Sequence, residues 1–226
     1  MEETIIISLG GSLIVPEDID VSFLKDFKSL ILEQVSKGKK FAIVTGGGRT
    51  CRKYQNAAKE ITETTTEDLD WIGISTCNLN AELLRVVFNK DAHDKVILDL
   101  SQNFFLESPI VIGGALEPGH SSDMDAMLAA KNLGAKKIIN LSNIDYAYDK
   151  DPNKFPDAKK LEKVSWAEYR TFIPEKWIAG LSTPFDPIAS KMAEAEGIEV
   201  IIMNGKNIPN LAKCLNGEEF MGTVIS

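Results

Sequence analysis

Residues 4–16 read TIIISLGGSLIVP: a strand-like run, a Gly10-Gly11-Ser12 turn, then a second apolar run. Continuous rather than alternating hydrophobicity marks a strand covered on both faces, which is the habit of parallel sheets linked by crossover helices. The same signature recurs at 40–45 (KFAIVT), 95–100 (KVILDL), 109–113 (PIVIG), 137–142 (KIINLS) and 198–203 (IEVIIM). Between these runs the apolar spacing changes to three or four residues. It does so at Phe23, Leu24, Phe27, Leu30, Ile31 and Val35, and again over 69–89, 122–133, 187–196 and 208–215. Strand and helix in alternation predict an α/β chain with a mostly parallel open central sheet. The stretch 144–163, IDYAYDKDPNKFPDAKKLEK, breaks the pattern with two prolines and many charges, and is expected to be a loop or small hairpin at the sheet's edge. No internal repeat or low-complexity linker divides the 226 residues, so a single domain is expected.

Composition narrows the function classes. With 33 Asp+Glu against 25 Lys+Arg the formal net charge is −8, which argues against a bulk electrostatic grip on nucleic acid or an anionic membrane. Any anionic ligand must then be held by local positive features. Cys51, Cys77 and Cys214 are far apart, with no CxxC pattern and no nearby histidine, so neither a disulfide framework nor a zinc site is indicated. No apolar run approaches the roughly 20 residues that span a bilayer. The start, MEETIIIS, is acidic where a signal peptide is basic, and a cytoplasmic setting is the expectation.

Three glycine turns follow predicted strands: Gly10-Gly11-Ser12, Gly46-Gly47-Gly48-Arg49, and Gly113-Gly114 leading to Pro118-Gly119-His120-Ser121-Ser122. Glycine lets backbone approach a ligand closely, and a following helix offers unpaired N–H groups to an anion. One such turn is as well explained by tight packing alone; three at the carboxyl ends of strands fall where open α/β sheets bind ligands. No G-x-G-x-x-G and no G-x-x-x-x-G-K-[ST] is present, which removes the dinucleotide-dehydrogenase and P-loop readings.

Arg49, Arg52 and Lys53 follow the triple glycine directly, where a guanidinium can pair with phosphate oxygens already bound by helix N–H groups. Solvated surface charge is the competing reading of that cluster. Asp123 and Asp125 after the third turn could orient Mg²⁺, or Asp123 could cap the helix that begins near residue 122. Asp149 and Asp151 can be turn residues, His93 reads as a surface residue, and His120 enters no legible Ser-His-Asp arrangement.

LGGS, VTGGGRTCRKY, DWIGISTCNLNAELL, GGALEPGHSSDMDAMLA, SNIDYAYDKDP and PFDPIASKMAEAEGIEVIIMNG occur here in the order found in the amino acid kinase superfamily. Within it the chain resembles the archaeal-type uridylate (UMP) kinases over nearly its whole length. The resemblance implies a three-layer αβα sandwich that transfers the γ-phosphate of ATP to UMP with Mg²⁺, assembled as a homohexamer. An acceptor half would cover about residues 1–135 and a donor half about 136–226.

Matched motif by motif, the donor phosphates would lie near Ser8, Leu9, Gly10, Gly11, Ser12, Gly48 and Arg52, and the adenine and ribose near Ser142, Asn143, Tyr148 and Asp151. UMP would be held by Gly47, by Asp70, and by Ala115, Leu116, Glu117, Pro118, Gly119, His120, Ser121 and Ser122. Arg52, Lys191 and Asp123 are the implied catalytic residues, with no metal ligand set assigned; by periodicity alone Lys191 is equally a solvent-facing helical lysine.

The chain departs from the wider pattern in four places. Ser8 stands where many members have Lys, Tyr146 where Gly is usual, and Asn78 where Arg is common, and the ALEPGH loop looks one residue longer. Another acceptor within the superfamily, such as isopentenyl phosphate, or a nucleotide-binding storage or regulatory role are the alternatives left open.

Overall fold

The computed structural model describes residues 4–102, 104, 107–176 and 183–226; the acidic start at residues 1–3 lies outside them. The first half runs β1 (Thr4–Leu9), α1 (Gly11–Ile14), α2 (Val21–Ser36), β2 (Lys40–Thr45), α3 (Gly48–Ile61), α4 (Thr66–Phe88), β3 (Ile110–Gly113) and α5 (Ser122–Leu133). The second half begins with β4 (Lys137–Ser142), β5 (Ala147–Tyr148), β6 (Lys160–Leu161), β7 (Lys163–Val164) and α6 (Trp166–Tyr169). It closes with α7 (Pro187–Glu196), β8 (Glu199–Asn204), α8 (Ile208–Leu215) and β9 (Thr223–Ile225).

Seven strands form one sheet in the order β3-β2-β1-β4-β8-β9-β7. Every described pairing in it is parallel except β8 with β9. The strand order reverses between β1 and β4, which makes the crevice beyond their carboxyl ends the topological switch point where such sheets bind ligands.

Alternation along each strand sorts the core into two layers. Ile5, Ile7 and Leu9 of β1 join Phe27, Phe41, Leu84 and Leu211 on one face. Ile6 joins Ala42, Val44, Ile138, Met127 and Phe185 on the other. Helices thus cover both faces, as the continuous apolar strands require. By the same period of two, Ser8 and its register partner Asn140 belong to the face that α5 covers.

The ends of the helices follow local chemistry. Thr65 and Asp68 make a reciprocal capping box on α4, while Gly134 and Gly197 end α5 and α7 in the left-handed conformation.

Two expectations are corrected. The run 95–100 is not a strand; it makes only a single bridge, Ile97 with Gly113, and the Asp99 carboxylate folds back to accept from the Ser101 N–H, which stops the extension. The helix at 122 is capped not by Asp123 but by Ser121, whose hydroxyl accepts the Asp123 N–H. The stretch 144–163 does contain a hairpin, with β5 and β6 paired antiparallel outside the main sheet.

Candidate active site

The first two glycine turns interlock at the switch point. Gly10 N–H donates to the Leu141 carbonyl of β4, and Gly46 N–H donates to the Leu9 carbonyl of β1. A Cβ on Gly11 would sit 2.3 Å from both the Gly46 oxygen and the Gly48 nitrogen, and one on Gly48 would sit 2.3 Å from the Gly11 oxygen. Gly48 also has φ +65, a conformation costly for any residue with a Cβ. The glycines are therefore required by the meeting of two backbones, which brings the N-terminal ends of α1 and α3 together. Asn80 of α4 fixes the second turn by donating to the Gly46 carbonyl at 2.8 Å.

Beneath the turns lies a polar cluster set by strand register. Asp123 Oδ1 accepts from Ser8 Oγ at 3.0 Å and from Asn140 Nδ2 at 3.1 Å, and Asp123 Oδ2 accepts from the Asp186 N–H at 3.0 Å. Asp186 caps α7 through Oδ1, bonded to the Ile188 and Ala189 N–H groups, while its buried Oδ2 has no hydrogen-bond partner among the described residues. Burial, and next the charge of Asp186, push the Asp123 carboxyl up to about 7 despite its three donors. Two crowded carboxylates with one orphaned oxygen form a site that attracts positive charge.

The cations behind the triple glycine divide into two groups. Arg49 and Lys53 both ion-pair with Glu17, in the loop after α1. Exposed Arg52 instead donates to Ser12 Oγ at 3.2 Å, placing its guanidinium beside the first glycine turn. Of the three, Arg52 alone has no carboxylate partner among the described residues.

The third turn faces α4 and α5. Buried Asp70 accepts the Gly119 N–H at 2.9 Å, and burial raises its carboxyl above the usual range. His120 Nε2 lies 3.2 Å from Oδ1 of buried Asp125, and that bond raises the imidazole's pKa. Asn78 brackets the Ala115 peptide, accepting its N–H at 2.8 Å and donating to its carbonyl at 3.0 Å.

The amino acid kinase family model matches residues 3–204. The chain belongs to the amino acid kinase family. It is 33% identical over 225 residues to the uridylate kinase of Methanobrevibacter smithii, covering 98% of this chain and 99% of that one. It is 35% identical to that of Staphylothermus marinus, covering 100% and 99%. Among solved structures, the uridylate kinase from Archaeoglobus fulgidus superposes with a TM-score of 0.83 at 29% identity over the full length of both chains. The UMP kinase from Bacillus anthracis shares the fold, with a TM-score of 0.81 at 20% identity, covering 99% and 96%.

In this amino acid kinase the residues expected at the donor base are spread along the far side of the switch point. Ser142 ends β4, exposed Asn143 follows it, Tyr148 sits in β5, and Asp151 is turned into its own loop by accepting the Asn153 N–H. A cavity of about 1180 Å³ opens nearby, lined among others by Tyr146, Lys160, Asn207, Phe220 and Met221. It includes Tyr146, the departure from the usual Gly, but none of those four residues. Lys191 is exposed on α7 and makes no ion pair among the described residues.

The pairing of Asp123 with Asp125 as metal carboxylates does not form. Asp123 turns to Ser8 and Asn140 and Asp125 turns to His120, and no group of three or more His, Cys, Asp or Glu side chains among the described residues could hold a metal.

Asn140, Asp186 and Asn78 were not assigned to the site from sequence. Asn140 had a legible signal, an amide inside the otherwise apolar KIINLS strand, and Asp186 had one in its place before a helix-starting proline.

Proposed function

We propose that this chain is an ATP:UMP phosphotransferase producing UDP. The observation that carries the reading is the interlocked pair of glycine turns at the switch point, faced by Asp70 and the PGHSS loop, in a chain similar to uridylate kinases over almost its full length. The γ-phosphoryl group passes through a loose transition state, so catalysis consists of alignment and neutralisation of spreading negative charge. N–H groups of Gly11 and Ser12 bind the donor phosphates from one side, the Gly10 N–H being held by the Leu141 carbonyl, with Leu9, Gly48 and Arg52 completing the cradle. Arg52 supplies the mobile positive charge, and Lys191 is the second cation able to approach from α7. Ser142, Asn143, Tyr148 and Asp151 border the donor ribose and base.

UMP is held by Asp70, Gly47 and the 115–122 loop. Asp123 organises the floor between the two substrates through Ser8 and Asn140. The residues present fit Mg²⁺: Asp123 and Asp186 offer two carboxylates, one oxygen of which is buried without a partner among the described residues, and Mg²⁺ favours one or two carboxylates plus phosphate oxygens and water. When bound, that ion would neutralise phosphate charge.

Residues 1–135 form the acceptor half and 136–226 the donor half. We assign a homohexamer in the cytoplasm; exposed Tyr54 and Ile61 on α3 and Trp71, Leu79 and Val86 along one stripe of α4 support association of copies. Light scattering on the purified protein checks the assembly. A coupled assay with ATP, Mg²⁺ and a panel of monophosphates tests the reaction; turnover of another acceptor with none of UMP would overturn it.

A further inference from the structure

The loop from Ala115 to His120 is suspended between two helices by side chains that no phosphate chemistry requires. At one end Asn78 of α4 makes a two-point pairing with the Ala115 peptide, at 2.8 and 3.0 Å. Gly114 makes that approach possible, because a Cβ there would stand 2.4 Å from Asn78 Oδ1. At the other end His120 is bound to Asp125 of α5, whose side chain is buried. Between the clamps Leu116 and Glu117 are exposed, and Gly119, at φ +102, gives its N–H to Asp70. Asp70 is also the side chain read above as a UMP ligand, and the loop holds it through Oδ2.

We propose that Asn78 and Asp125 are positioning residues of the acceptor site, acting through Ala115 and His120. They pin both ends of the loop so that its centre keeps its place while Asp70, held through Oδ2 by the Gly119 N–H, accepts a hydrogen bond from an acceptor hydroxyl. The inference rests on the reading of Asp70 and the loop as the acceptor site. Asn78 thus holds backbone rather than supplying charge.

The test compares wild type with Asn78→Ala, Asp125→Ala, His120→Ala and the Asp125→Ala/His120→Ala double variant. Expected is a rise of about tenfold in the acceptor KM for each single variant, the worth of one or two net hydrogen bonds, with the ATP KM and, for Asn78→Ala and Asp125→Ala, kcat within about twofold. The double variant should be no worse than Asp125→Ala, and Asp125→Asn, which can still accept from His120, should recover most of the loss.

Hydrogen exchange across 115–121, measured without substrate, should quicken in every alanine variant. Unchanged exchange together with an unchanged acceptor KM overturns the proposal, as does an equal rise in both KM values. Should wild type prefer another monophosphate, KM is read on that acceptor, and exchange still decides the clamps separately from UMP. Should Asp125→Ala fail to fold, Asn78→Ala and His120→Ala carry the test.

Discussion

Asp123 provides a prediction whose size follows from the geometry. Its carboxylate is enclosed beneath the glycine turns next to Asp186, and burial and that neighbour raise its pKa from 3.8 to about 7. Because the folded pKa lies above the unfolded one, the folded state holds the proton more tightly. The contribution to stability is therefore complete below about pH 4 and is lost as pH rises through about 7. Between about pH 5 and pH 8 the loss amounts to roughly 2–3 kcal/mol at about 1.4 kcal/mol per pKa unit.

Asp123→Asn cannot titrate, and whatever constant cost its amide adds beside the Asp186 N–H cancels when slopes are compared. Urea unfolding of both proteins at fixed protein concentration, in chelator, across that pH range should show wild type losing about 2–3 kcal/mol more than the variant. At the same time the variant should lose most of its phosphotransfer activity. Parallel pH dependences in the two proteins would refute the account of a buried, crowded carboxylate.

Other outcomes follow from the same site. Arg52→Ala should lower kcat about a hundredfold, on the order of 3 kcal/mol of transition-state stabilisation, while its urea midpoint barely moves because the side chain is exposed. Steady-state kinetics beside a denaturation curve checks both halves. Asp70→Asn should raise the UMP KM about tenfold and leave the ATP KM alone, as measured by varying each substrate at saturation of the other. Gly48→Ala forces a Cβ onto the Gly11 oxygen at a positive φ and should cost at least about 3 kcal/mol of stability, read as a drop in the urea midpoint.

Much of this organisation was legible in the sequence because it depends on neighbours in the chain. Continuous apolar runs located β1, β2, β3, β4 and β8, and three- to four-residue spacing located α2, α4, α5, α7 and α8 within a few residues. The first two glycine turns were visible because close backbone approach excludes a Cβ there, and the third because side chains such as Leu100 and Asn78 crowd Gly113 and Gly114. The 95–100 run misled because its apolar residues outweighed Asp99, whose turn-forming bond to Ser101 is a local competitor that periodicity does not register. β7 and β9 were invisible because strands of two and three residues have no period to detect.

The sequence alone thus determined an α/β sheet with glycine turns at its carboxyl edge and a basic cluster behind one of them. Tertiary structure alone decided which charges remain at work there. Glu17 takes Arg49 and Lys53 and leaves Arg52 beside Ser12, whereas Asp123 is surrounded by donors from positions 8, 140 and 186. These partners lie tens of residues apart in the chain. They meet because parallel register sets Ser8 beside Asn140 and the crossovers lay α5 and α7 on the same face, and neither relation is written in any single stretch of sequence.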